Sequence, residues 1–208
     1  MTHFSTRVYL ASRSPRRGEL LKQIGVEFDL LLLREAPPRQ PDVDETRLRE
    51  EPPGDYVCRI ARTKAGIGYA RVLERGWAHL PVLAADTAVS INQSVFGKPK
   101  GAVDAESMLR MLSGRSHQVF TAVAVTAQNG DIHTRVSVST VEFRRLGDRE
   151  IVSYLSGPEA YDKAGAYAIQ GKAAVFISRI SGSYSGIMGL PLYETAQLLE
   201  GAGIVLLP

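Results

Sequence analysis

The apolar run at residues 80–85 stops abruptly at Asp86-Thr87, and eleven residues beyond Asp86 the chain reaches Gly97-Lys98-Pro99-Lys100-Gly101. A short continuous apolar run bounded by polar residues reads as a buried strand. A strand that ends in a carboxylate and a hydroxyl is a junction of the kind at which α/β proteins place reactive groups, because ligands gather in the crevice beyond the carboxyl ends of the strands. The following Gly-Lys-Pro turn carries a cation. An acid and a lysine joined by so short an excursion suit a metal and a phosphate, and they set the question the rest of the chain has to answer.

Upstream, a short strand at 8–11 runs into Ser12-Arg13-Ser14-Pro15-Arg16-Arg17. Ser14 is a good N-cap and Pro15 a good first helical residue, while Leu20, Leu21 and Ile24 form an apolar stripe closed by Gly25. Free N–H groups at a helix start, the hydroxyls of Ser12 and Ser14 and two arginines together make an anion site. Cations at the positive end of a helix are disfavoured by a few tenths to about 1 kcal/mol unless an anion compensates them. Residues 28–33 predict a second strand. Residues 34–54, with Pro37, Pro38, Pro41, Pro52 and Pro53 and the acids Asp42, Asp44 and Glu45, predict a long loop.

From Asp55 the apolar residues Tyr56, Val57, Ile60, Ala61, Ala65, Gly68 and Val72 recur at helical spacing as far as Gly76, with Lys64 beside the stripe. Another helix spans Ala105, Met108, Leu109 and Leu112, with Asp104 as its cap. The β-rich runs 116–127 and 132–143 flank Asn129-Gly130, a hairpin signal. Asp148 caps a helix through Leu155. A small-residue stretch, 162–171, brings Asp162, Lys163 and Gln170 inward. Then follow a strand at 173–180, a Gly/Ser loop at 181–189, a helix at 191–200 and a last strand at 204–207. Alternating strands and helices around one hairpin give an α/β fold with a mixed sheet, as a single domain over 1–208.

The net charge of +3, with no run of Lys and Arg, fits a small anionic ligand better than nucleic acid. One cysteine, Cys58, excludes an internal disulfide and suits a reducing cytoplasm; it reads as a half-buried helix residue. No segment has the length of apolar sequence expected of a signal peptide or membrane helix, so neither export nor membrane insertion is expected. His3, His79, His117 and His133 lack the spacing of metal ligands, and His117 reads as a structural hydrogen-bonding residue.

Six segments in order resemble the Maf family of nucleoside triphosphate pyrophosphatases: Leu10-Ala11-Ser12-Arg13-Ser14-Pro15-Arg16-Arg17, Ala85-Asp86-Thr87, Gly97-Lys98-Pro99, Leu112-Ser113-Gly114-Arg115-Ser116-His117, Asp162-Lys163-Ala164-Gly165-Ala166-Tyr167 with Ile169-Gln170-Gly171, and Gly182-Ser183-Tyr184-Ser185 with Gly189-Leu190-Pro191-Leu192. The resemblance implies a curved mixed β-sheet flanked by helices, in two lobes around a cleft, similar to the inosine-triphosphate pyrophosphatases. It implies hydrolysis of a nucleoside triphosphate to the monophosphate and pyrophosphate with a divalent metal, Mg²⁺ or Mn²⁺, and it suggests a homodimer. Asp86 matches the family's proton acceptor. Arg16, Thr87 and Gln170 match the residues associated with base selection, and the pattern of Arg16 with Gln170 is that of the branch acting on dTTP and UTP.

The residue chemistry is compatible with this on its own terms. Ser12, Arg17, Lys64, Lys98 and Lys163 supply donors and charge for a triphosphate, and phosphoryl transfer rests mainly on positioning and charge stabilisation. Asp86 suits either removal of a proton from water or metal binding, with Glu45 as a second metal candidate. A side-chain amide such as Gln170, which both donates and accepts, matches the imide edge of uracil or thymine. The chain departs from the family pattern at Pro158-Glu159-Ala160, Gly186, Thr63 and Ala122, and in what looks like an insertion at 34–41. Two alternatives stand beside the dTTP/UTP reading: the 7-methyl-GTP branch of the family, and a non-catalytic nucleotide-binding regulator of septum formation.

Overall fold

A computed structural model describes residues 6–34 and 40–207. Strand β1 (Arg7–Leu10) lies parallel to β2 (Glu27–Leu30) on one side and to β3 (Val82–Ile91) on the other. Beyond β3 the sheet is antiparallel through β5 (Ser116–Thr126), β6 (Ile132–Phe143) and β7 (Ile177–Ser181), while β4 (Ser94–Phe96) folds back on the end of β3. The resulting mixed sheet has the order β2-β1-β3-β5-β6-β7 with β4 on β3. Among the described residues six α-helices accompany it: α1 (Pro15–Gln23), α2 (Pro53–Glu74), α3 (Ala102–Leu112), α4 (Asp148–Leu155), α5 (Tyr184–Met188) and α6 (Leu192–Gly201).

The core divides where the sheet changes partners. Helix α2 lays Val57, Ile60, Ala61, Ala65 and Val72 on Ala84, Ala88, Ala122 and Ala124 of β3 and β5. The alanines allow close approach, and Gly68 makes it closer still: a Cβ there would lie 2.9 Å from Val82 Cγ1. On the opposite face α1 and α6 bury Leu20, Leu21, Leu198 and Leu199 against Leu83, Ala85 and Val123. A third cluster joins α3 and α4 to the far ends of β3, β5 and β6 through Leu109, Leu112, Val119, Phe143 and Ile151. Each fully buried Leu, Ile or Phe contributes roughly 1.5–3 kcal/mol of transfer free energy. All three clusters take residues from β3 and β5.

Several expectations from the sequence are corrected by the structure. The strand expected at 80–85 runs on to Ile91, so Asp86 and Thr87 sit inside it. The strand expected at 28–33 is paired only as Glu27–Leu30, although Leu31 and Leu33 remain buried. The strand expected at 173–180 begins as a 3-10 turn, Lys172–Phe176, because the Glu159 carboxylate accepts the N–H groups of Lys172 (2.9 Å) and Ala173 (3.3 Å). The loop expected at 181–189 contains α5, whose N-cap Ser183 accepts the Gly186 N–H at 2.9 Å. Residues 204–207 form no strand; Ile204 packs beneath α6 instead. Asp148 does not cap its helix, since Gly147 is the N-cap and its N–H donates to Glu150 at 2.9 Å. Asp104 stands inside α3 and accepts the Lys100 N–H at 2.8 Å. Of the long loop, residues 35–39 lie outside the described residues.

Candidate functional site

Strand β3 has two different neighbours on one edge. It pairs with β1 only at Val82 and Leu83, and with β4 only from Val89 to Ile91. Between those contacts residues 84–88 have no strand beside them on that edge, and the chain leaving β1 turns there into the Ser12–Arg17 segment. The gap opens a cleft of about 1040 Å³, at the upper end of ordinary ligand-site volumes. Ser12, Arg16, Arg17, Glu45, Lys64, Asp86, Thr87, Lys98, Lys163 and Gln170 all line it. The structure therefore brings together every site residue singled out in the sequence.

Side chains alternate along a strand, and this sends the two central groups to opposite faces. Asp86 shares the α2 face with Ala84 and Ala88 and receives Lys64 Nζ at 2.8 Å. The same ammonium reaches Glu45 Oε1 at 2.7 Å. Burial pushes the Asp86 carboxyl above the ordinary carboxylate range, even though Lys64 and Arg17 oppose the shift. Burial also disfavours the Lys64 ammonium, but Asp86 and Glu45 outweigh it, so that lysine holds its proton more tightly than usual. Tyr56 closes the corner by donating its hydroxyl to the Glu45 carbonyl (3.1 Å), and burial, with Asp86 and Glu45 nearby, pushes its phenol up to about 12.

Thr87 faces the other way, toward Arg17. That guanidinium donates to the Gly189 carbonyl at 2.8 Å, to Ser12 Oγ at 3.0 Å and to Thr87 Oγ1 at 3.3 Å. Ser12 also accepts the Ser14 N–H at 3.2 Å, which fixes the start of α1 without a side-chain cap from Ser14. One arginine thus ties the first turn of α1, the middle of β3 and the end of α5 into a single wall.

The remaining residues surround the opening. Arg16 is half-buried, its Nε has no hydrogen-bond partner, and burial draws its guanidinium pKa down against the pull of Asp162, Glu19 and Glu159. Lys163 is paired with Asp162, and Lys98 and Gln170 are exposed at the rim. Behind Gln170, Glu159 accepts the Tyr154 hydroxyl at 3.0 Å as well as the two N–H groups after Gly171. A Cβ at position 171 would lie 2.3 Å from the Glu159 carboxylate, so a larger residue there has to displace it.

The acids of the long loop have separate duties. Asp42 is paired with Arg34 and Arg71, Asp44 accepts the Thr46 N–H at 2.8 Å, and Glu51 is paired with Arg59 at 2.7 Å. Only Glu45 of that cluster joins Asp86. Among the described residues no three His, Cys, Asp or Glu side chains converge. The donor set that does converge, two carboxylates opening on a space for phosphate oxygens, fits a hard cation such as Mg²⁺, which commonly takes one or two carboxylates. Lys64, held between them, is the cation supplied by the chain itself.

His117 is buried and its Nε2 lies 2.8 Å from the Tyr167 hydroxyl, as expected of a structural histidine. Cys58 is half-buried on α2. Thr121 was not singled out in the sequence: it lies opposite Thr87 on β5, and nothing distinguishes a threonine in a β-rich run from its neighbours. Among the described residues no helix is long and apolar enough to cross a membrane.

Fold and cleft together define an α/β protein with a cation-rich, carboxylate-centred cleft at a break in strand pairing. The chain belongs to the Maf family: the family described as Maf-like protein matches residues 7–202. A curated relative from Nitrosospira multiformis, named dTTP/UTP pyrophosphatase, is 65% identical over 98% of each chain. One of the same name from Nitrosomonas europaea is 57% identical over 95% of each. The solved structure of a HAM1 protein from Coxiella burnetii superposes with a TM-score of 0.51 at 16% identity, covering 94% of this chain and 99% of that one, and so shares the fold.

Proposed function

We propose that this chain hydrolyses dTTP and UTP to the monophosphate and pyrophosphate, a nucleotide-sanitising reaction. The observation that carries the reading is the buried carboxylate of Asp86, set in a cleft ringed by Arg16, Arg17, Lys64, Lys98 and Lys163. A triphosphate brings about four negative charges, and clustered cations in a partly dehydrated site stabilise charge far better than water does. Water attacks the α phosphorus and the bond to the bridging oxygen breaks. Pyrophosphate leaves with that oxygen, and the water proton passes to Asp86. Burial suits Asp86 to this task, because a carboxylate with a raised pKa is the stronger base.

Glu45, which shares Lys64 with Asp86, would help hold a divalent cation, which when bound neutralises phosphate charge and lowers the pKa of its water. Ser12 and Arg17 hold the phosphate side of the cleft. Arg16, Thr87 and Gln170 form the base-reading side, and Gln170 offers both a donor and an acceptor to a pyrimidine imide. The presence of both Arg16 and Gln170 in the cleft favours dTTP and UTP over 7-methyl-GTP. The lone cysteine supports a reducing, cytoplasmic setting, and a homodimer of single two-lobed domains completes the reading.

The test is pyrophosphate release over a panel of dTTP, UTP, CTP, GTP and 7-methyl-GTP, with Mg²⁺ or Mn²⁺ and with chelator. Preferential, metal-dependent release from dTTP and UTP supports the proposal. Preferential release from 7-methyl-GTP, or tight binding without turnover under any metal, overturns it.

A further inference from the structure

Residues 40–51 belong to no helix or strand, yet they carry Glu45 to the cleft. A side chain on such a segment keeps its place only if the backbone around it is tied to something rigid. The ties come from the first turns of α2. Tyr56 donates its hydroxyl to the Glu45 carbonyl at 3.1 Å, and Lys64 holds the Glu45 carboxylate at 2.7 Å. Arg59 takes the peptide groups on either side: its Nη2 donates to the Thr46 carbonyl at 3.0 Å, and its Nη1 reaches the Asp44 carbonyl at 3.5 Å. Helix α2 thus grips Glu45 at its carboxylate, at its own carbonyl and at both neighbouring carbonyls.

Arg59 can serve in this way because its own direction is fixed. The buried Glu51 carboxylate accepts Nε at 2.7 Å and Nη2 at 2.8 Å, so the planar fork of the guanidinium meets both oxygens. Nη2 carries two hydrogens, one for Glu51 and one for Thr46. The guanidinium also lies over the Tyr56 ring, 5.7 Å from its centroid. Glu51 is brought back toward Arg59 by Glu50, whose φ of 57° lies in the left-handed region that a residue with a side chain seldom adopts, and it accepts the Leu48 N–H at 3.1 Å. On the loop side Asp44 accepts the Thr46 N–H at 2.8 Å and closes a turn around Glu45.

We propose that Arg59 is a positioning residue for the reaction: held by Glu51, it fixes the Asp44–Thr46 backbone so that the Glu45 carboxylate stays on Lys64, beside Asp86. Arg59 does not line the cleft and acts only through Glu45. This inference rests on the proposed pyrophosphatase reading and deepens it.

The experiment is a double-mutant cycle on kcat/KM for UTP, with the unmodified protein, Arg59→Met, Glu45→Ala and the double variant, each checked for folding by thermal unfolding. Methionine replaces part of the arginine volume and donates no hydrogen bond. Arg59→Met is expected to lower kcat/KM about 10–100-fold, the scale for partners that orient a ligating carboxylate. Once Glu45 has been replaced, adding Arg59→Met should cost less than about twofold more, because nothing remains to be positioned. Independently of turnover, hydrogen exchange in the nucleotide-free protein should quicken across residues 43–48 in Arg59→Met and stay unchanged in β3 and β5. If Arg59→Met does not fold, Tyr56→Phe takes its place in the cycle, since it deletes the bond to the Glu45 carbonyl and keeps the ring. Losses that multiply in the double variant, a Glu45→Ala protein as active as the unmodified one, or unchanged exchange across 43–48 would each overturn the proposal. Absence of pyrophosphate release from UTP by the unmodified protein instead overturns the underlying reading.

Discussion

Replacing Lys64 with Met removes the ammonium that lies 2.8 Å from Asp86 and 2.7 Å from Glu45 while keeping most of the aliphatic volume beside the α2 stripe. At an effective dielectric constant of about 20, two unit charges at that separation attract by about 6 kcal/mol, an upper bound that solvent reduces. Breaking a buried pair by removing one partner costs about 3–5 kcal/mol if the survivor stays charged. Asp86 escapes that cost by binding a proton. Its pKa should therefore climb further above a value that burial has already raised. The base exists only above that pKa. The acid limb of kcat/KM for UTP should accordingly move to higher pH, with neutral activity low and recovered toward alkaline pH. Pyrophosphate release measured from pH 5 to 10 decides the matter. An acid limb in the same place as in the unmodified protein, whatever the overall loss, would refute the claim that Lys64 sets the protonation of Asp86.

Burial pulls the His117 imidazole down to about 4 in the folded chain, against 6.5 when exposed. The unfolded chain takes up that proton first as pH falls, so stability should drop between pH 6.5 and 4 by up to about 3 kcal/mol, a slope that His117→Phe removes in urea unfolding. Gly171→Ala would drive its Cβ into the Glu159 carboxylate and break the cap on Lys172 and Ala173, costing about 1–3 kcal/mol in thermal unfolding and raising KM for UTP through Gln170. Gly68→Ala should overpack α2 on Val82, with a similar loss of about 1–3 kcal/mol and no change in nucleotide preference.

The elements that the sequence made legible are those with a strong local signal. Pro15 at a helix start, the stripe from Val57 to Val72 and the hairpin at Asn129-Gly130 all reflect chemistry within a few residues. The hairpin that makes β4 was hidden, because Asn92 and Gln93 adopt positive φ of 49° and 65° without the glycine that usually advertises such a turn. Strand β3 was cut short at its first charge. An aspartate is tolerated in mid-strand there because β1 and β4 both leave it room and Lys64 arrives from α2, and both are facts of tertiary pairing. The Gly/Ser stretch concealed α5, and the apolar end at 204–207 promised a strand where packing beneath α6 was enough. At the site, residue types were readable but directions were not. Nothing in the order of the chain says which face of the sheet Asp86 takes, that one lysine binds two acids, or that Thr121 stands behind Thr87.

In the proposed reaction Asp86 is the group on which pyrophosphate release from dTTP and UTP depends. Asparagine at position 86 keeps the shape of the side chain but can neither accept the water proton nor carry its charge. Single-turnover release of pyrophosphate from UTP by Asp86→Asn, with folding checked by thermal unfolding and UTP binding measured separately, is the direct measurement. The expected result is a folded protein that still binds UTP and releases pyrophosphate at least about a hundredfold more slowly, the scale of a lost general base. A folded Asp86→Asn protein that releases pyrophosphate at the unmodified rate would contradict it.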